Sequence, residues 1–130
     1  MAKDPTNLGE LELAILEYIW EHQSCEVKAV HGEVGVRREI THNTVQSTMK
    51  RLWEKGLLSR EKEGHAYRYA ACVNRRELTE LMMDQLMEQV TGSKIEVALQ
   101  AFVNLAERAG DDTLAALEQL VAARRSQDRE

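Results

Sequence analysis

Proline, cysteine and phenylalanine are scarce in this 130-residue chain, with one, two and one copies, and each scarcity removes a class of protein. With proline only at position 5, a long helix meets no interior breaker. Cys25 and Cys72 are too few for a disulfide framework or a four-ligand metal set, and the four histidines lack metal-ligand spacing. No apolar run approaches the ~18 residues of a membrane span. The opening MAKDPTNLGE holds no apolar signal core. A cytoplasmic protein without membrane insertion is expected. GxSxG, HExxH and phosphate-loop patterns are missing, and His31-Gly32-Glu33 has no second histidine at zincin spacing. No enzyme, cofactor or metal centre is expected.

What is present is a core and a segregated charge. Hydrophobic residues make up 43% of the chain, enough for a folded interior. The net charge of −5 is unevenly spread. Residues 36–70 carry eight Lys/Arg against four Glu, whereas 1–35 carry two against seven Asp/Glu and 71–130 carry seven against eleven. A +4 segment between flanks of −5 and −4 is the pattern of a chain that turns one region toward phosphates.

That basic segment contains THNTVQSTMKRLWEKG, residues 41–56. As a helix it places Val45, Met49, Leu52 and Trp53 on one apolar stripe. Its other side carries Asn43, Thr44, Gln46, Ser47, Lys50 and Arg51, the donors, acceptors and cations that can meet base edges and phosphates in a major groove. Thr41 is its expected cap and Gly56 its stop. Ahead of it, the pattern predicts a helix over 8–22, with Asn7 as N-cap and Glu10 completing a capping box. A second helix is predicted over 26–34, capped by Ser24 and ended by Gly35 as a left-handed glycine. Behind it, Leu57-Leu58-Ser59 and Ala66-Tyr67-Arg68-Tyr69-Ala70 read as two strands around a charged turn, 60–65. The fold class is mainly α with a small β-hairpin wing: a winged helix-turn-helix over 1–73, then a C-terminal helical dimerisation region over 74–130.

The last segment predicts three amphipathic helices, broken at Thr91-Gly92-Ser93 and at Gly110-Asp111-Asp112. Their stripes are Leu78, Met82, Leu86 and Val90, then Ile95, Leu99 and Phe102, then Leu114, Leu117 and Val121. Three helices in about 50 residues bury such stripes poorly alone, so a two-fold homodimer is expected.

Three runs, LGELELAILEYIW, TVQSTMKRLWEKGLLSREKEGHAYRYAACV and VALQAFVNLAE, resemble the BlaI/MecI-type penicillinase repressor family over roughly residues 7–121. The resemblance implies a homodimeric winged-helix repressor of inverted-repeat operators, of TACA/TGTA type, near β-lactamase or other stress genes. On that reading helix 41–55 enters the major groove, Thr44, Gln46 and Ser47 face bases, and Asn43, Lys50 and Arg51 clamp phosphates. Arg60, Lys62 and Arg68 do the same from the wing. It further implies release by an inducing signal, through a membrane metalloprotease sensor or downstream protease that cuts the C-terminal region. The family's cleaved Asn–Phe bond matches Ala101–Phe102 here, with Ala101 in place of asparagine. The family's copper-responsive branch has a cysteine-rich tail that this chain lacks. Two alternatives stay open: a winged-helix protein-interaction module, and a redox- or metal-responsive repressor using Cys25, whose thiol a helix N-terminus would acidify, and Cys72.

Overall fold

Helix α1 (Glu10–His22) forms where ELELAILEYIWEH repeats apolar residues every three or four positions, burying Ile15, Leu16 and Ile19. The computed structural model describes residues 8–91 and 94–129. The capping residue is Gly9, whose N–H donates to the Glu12 carboxylate at 3.4 Å. The expected Asn7 cap lies outside the described residues.

The next segment departs from expectation. Ser24–Glu26 is not a cap and first turn but a strand, β1, paired antiparallel with β3 (Ala66–Ala71). Three residues of SCE carry no strand signature; backbone pairing to a neighbour makes the strand. Helix α2 (Val27–Val30) follows and widens into a π-type turn over His31–Gly35. Gly35 is not the left-handed cap. That role falls to Glu39 at φ 56°, where the Ile40 N–H closes a six-to-one bond on the Gly35 carbonyl at 2.8 Å. Gly35 is glycine for space: a Cβ there would meet the His31 ring at 2.6 Å and the Val45 side chain at 3.0 Å.

Helix α3 (His42–Glu54) then lays Val45, Met49 and Leu52 against α1. Strand β2 (Leu58–Glu63) pairs with β3 from Leu58↔Ala71 to Glu63↔Ala66, so the sheet order is β1-β3-β2. The turn is only Gly64-His65, with Gly64 at φ +64° as two-residue hairpin turns require. The expected loop 60–65 is therefore mostly strand.

The described chain divides into two units, one ending at Met83 and the other starting at Asp84. Helix α4 (Arg75–Leu86) begins within the first. A reciprocal cap holds its start: the Glu77 N–H donates to Asn74 Oδ1 at 2.7 Å, and the Asn74 N–H to Glu77 Oε1 at 3.0 Å. Leu78, expected on the dimerisation stripe, is instead 2% exposed in the core of the first unit, so it has no surface to offer a partner.

In the second unit a π-type turn, Met87–Thr91, precedes α5 (Ile95–Ala109) and α6 (Asp111–Asp128). The expected break at Gly92-Ser93 lies outside the described residues. The second break shrinks to Gly110 alone, at φ 123°, while Asp111 and Asp112 enter the first turn of α6, where their charge suits the helix dipole.

One ion pair ties the end of α3 to α1. Lys55 Nζ sits 2.9 Å from Glu12 Oε2, the two side chains being 8% and 16% exposed. Removing either partner strands a nearly buried charge. Lys55→Met is expected to cost about 2–4 kcal/mol in a urea unfolding titration; a loss under 0.5 kcal/mol would show that the pair does not hold the two helices.

Candidate nucleic-acid interface

Helix α3 starts at Thr41, whose Oγ1 accepts the Thr44 N–H at 3.2 Å and donates to Thr44 Oγ1 at 3.0 Å. It ends at Gly56, φ +83°, where the Leu57 N–H closes on the Leu52 carbonyl at 3.0 Å. With about 100° between successive residues, the fully buried line of Val45, Thr48, Met49 and Leu52 leaves Asn43, Ser47, Lys50 and Glu54 directly opposite, exposed. Gln46 and Trp53 flank that ridge on one side, Thr44 and Arg51 on the other.

The flanks differ in how much is already committed. Thr44 gives its hydroxyl to the cap and its carbonyl to two others, Ser47 Oγ at 3.1 Å and Thr48 Oγ1 at 2.7 Å. Arg51 reaches back to Thr48 Oγ1 at 3.2 Å. Trp53, expected in the core stripe, is 37% exposed and lies under a guanidinium: Arg60 Cζ is 3.6 Å from its ring centroid.

Strand alternation sorts the wing cations onto two faces. Arg60, Lys62, Tyr67 and Tyr69 share the face that continues the core. Arg60 stacks between Trp53 and Tyr67, 4.0 Å from the latter, and donates to Tyr69 Oη at 3.3 Å. Lys62 lies beyond it, opposite Tyr67 and exposed. Arg68 is on the other face. It stands opposite Glu26 on one side and Glu61 on the other, pairs with Glu63 at 2.9 Å, and donates to the Ser24 carbonyl at 3.2 Å. The pleat thus turns Arg68, expected as a phosphate clamp, away from α3 and toward carboxylates of the sheet.

The link before α3 adds two cations outside the expected set. Arg37 and Arg38 are exposed, Arg37 within 3.7 Å of Glu33. Their signal was the Arg-Arg dipeptide in the short link, two residues short of the Thr41 cap.

A polar-faced helix with a strand pair beside it, on a three-helix base, is the geometry of a winged-helix DNA-binding domain. A family profile described as penicillinase repressor matches residues 8–123. The chain belongs to the penicillinase repressor family. It is 34% identical over 119 residues to the transcriptional regulator BlaI of Mycobacterium tuberculosis, covering 90% of this chain and 84% of that one. The solution structure of the DNA-binding domain of the repressor BlaI matches with a TM-score of 0.52 and 28% identity, over 59% of this chain and 93% of that one. The hsRosR-S1 complex structure matches at 20% identity with a TM-score of 0.52, over 96% and 98% of the two chains, a likeness of fold. The protein is a transcriptional repressor of the BlaI type with a winged-helix DNA-binding domain; the family is one of regulators, not enzymes. No helix among the described residues is long and apolar enough to cross a membrane.

The second unit leaves its apolar residues outside. Met82, at the end of the first unit, and Leu86, Val90, Ile95, Leu99, Phe102 and Val121 are all exposed, Val90 to 71%. Leu114 and Leu117 are half-buried. Ala101 and Phe102 are exposed in the middle of α5.

Cys25 lies in a strand rather than at a helix N-terminus, and burial pushes its thiol up to about 11, a rise the nearby Arg68 charge only partly offsets. This reverses the expected acidification. Among the described residues no group of three or more His, Cys, Asp or Glu can hold a metal ion. The unfolded chain gives up the Cys25 proton near pH 9, whereas the folded chain keeps it to about 11. The stability this proton provides is complete below pH 9 and falls as pH rises through that window. Urea midpoints of the wild type should therefore drop between pH 8 and 10.5 more than those of Cys25→Ala; equal drops would overturn the assignment.

Proposed function

We propose that the protein acts as a homodimer on an inverted-repeat operator of TACA/TGTA type, with one α3 in each major groove and two half-sites about one helical turn apart. One observation carries the dimer. Among the described side chains of the second unit Ala106 is the buried hydrophobic, while leucines, valines, Ile95 and Phe102 along α4 to α6 stay exposed. Each returns roughly 1.5–3 kcal/mol when fully buried, so a symmetric partner supplies the missing core. Asn43, Gln46, Ser47 and Lys50 form the reading face. Thr41 and Thr44 set the helix start on the phosphates, and Arg51, Lys62 and the Arg37-Arg38 link add charge around them. The acidic character of the rest of the chain fits a contact confined to this region.

Release belongs to the same reading. An inducing signal, relayed by a membrane metalloprotease sensor or a downstream protease, would cut α5 between Ala101 and Phe102. That bond is mid-helix, so cleavage needs local unwinding, which a helix with little buried surface permits.

Sedimentation at micromolar concentration together with mobility shifts on a TACA/TGTA dyad tests the proposal. A dimer that prefers the dyad over scrambled DNA is expected. Lys62→Ala should lower the slope of log affinity against log salt by about 1 for each protomer's contact, and Arg68→Ala should leave it unchanged. A monomer, or equal binding to scrambled DNA, would sink the reading.

A further inference from the structure

Arg60 is the wing cation held by aromatic rings. Its guanidinium is 3.6 Å from the centroid of Trp53, on the last turn of the reading helix, and 4.0 Å from that of Tyr67, on the central strand. A hydrogen bond to Tyr69 Oη at 3.3 Å fixes its edge, and Tyr69 is itself buried. One side chain on β2 therefore touches both the helix and the strand on which the wing is folded. The rings take up its faces and Tyr69 one of its in-plane donors, so the orientation of the guanidinium is set by the protein before any DNA arrives.

We propose that Arg60 is a positioning residue for operator binding: stacked between Trp53 and Tyr67, it locks the wing to the end of α3, so that Lys62 and the α3 ridge are presented to DNA as one rigid surface. This rests on the operator reading above. At the base of the interface between α3 and the hairpin, Leu52, Leu57 and Leu58 are buried. The stack adds a tie between α3 and the hairpin beyond that base, on the face of the sheet opposite the one where Arg68 bonds Ser24. The rings also explain an otherwise odd placement. Trp53 and Tyr67 are large, half-exposed aromatics in a chain with few of them, and both are spent on one arginine. Lysine cannot replace Arg60 in this role, because an ammonium lacks the flat faces that two rings can sandwich and the fixed fork that reaches Tyr69.

The full-length chain and a duplex carrying the TACA/TGTA dyad provide the test. In the free protein, Arg60→Gln should shift the indole N–H resonance of Trp53 and leave that of Trp20 in place. On DNA, Arg60→Lys, Arg60→Gln and Trp53→Leu should each weaken binding about tenfold, with Trp53→Phe between them and the wild type. The double variant Trp53→Leu/Arg60→Gln should bind no more weakly than either single one, since both break the same stack. Three results would overturn the proposal: Arg60→Lys binding like the wild type, Trp53→Leu binding like the wild type while Arg60→Gln loses a unit of salt slope per protomer, or losses that add in the double variant. Each would make Arg60, or Trp53, a direct DNA contact. Absence of dyad-specific binding by the wild-type chain is a separate outcome, visible before any variant is compared; it removes the operator reading and this inference with it, while the indole shift still reports on the stack.

Discussion

Helix α3 has one apolar side and no other, and the burial of Val45, Met49 and Leu52 against Ile15, Leu16 and Ile19 fixes its rotation about its own axis. A turn of a few tens of degrees would expose a fully buried leucine or press the flanking Gln46 or Arg51 toward the core, and both are costly. The Lys55–Glu12 pair resists the same rotation from the far end, where the apolar stripe runs out. Gly35 lets the chain from α2 pass close enough to Val45 for the contact to form. Which polar residues α3 shows to solvent is thus decided by what it hides.

That constraint extends to the wing. Leu57 and Leu58 continue the core from α3 into β2, and alternation along the strand then assigns Arg60 and Lys62 to the α3 side. Arg68 falls on the opposite face, where it serves the sheet. Of the eight basic residues in segment 36–70, Lys55 is spent on α1, Arg68 on the outer face of the sheet and Arg60 on two aromatic rings. The +4 of that segment is therefore partly structural, and the charge facing outward around α3 is concentrated on Lys50, Lys62, Arg51 and the Arg37-Arg38 link.

The helices and the hairpin were legible because their signals are local. A Thr cap, a 3.6-residue stripe and a terminal glycine define α3 without reference to anything distant. Strand β1 was not legible, since Ser24-Cys25-Glu26 becomes a strand only through β3, some forty residues away. The same distance hid the roles of Lys55, Arg60 and Arg68: composition shows cations, but only the fold shows that a carboxylate or a ring is already beside them. Leu78 illustrates the limit of periodicity. It lies on the same helical stripe as Met82 and Leu86, yet the cap at Asn74 and the Trp20 Nε1 bond to the Val73 carbonyl hold the first turn of α4 in the core of the first unit. A stripe tells which side of a helix is apolar, not what covers it.

The two units are stabilised by different means, and this bears on control. The first has an interior of fully buried side chains; the second has a pair of helices joined by Gly110 with most of their large apolar residues outside. On the proposed dimer, the second unit has its core only while two chains are together. Joining two reading helices on one dyad makes the second half-site contact intramolecular, which raises affinity by orders of magnitude without any new contact. On the same proposal, opening α5 or separating the helices would remove that gain and leave each α3 and its wing on the buried core that α1, α3 and the sheet share. A regulated repressor needs this separation: the part that reads DNA should be rigid, and the part that is broken to release it should be the part least able to stand alone.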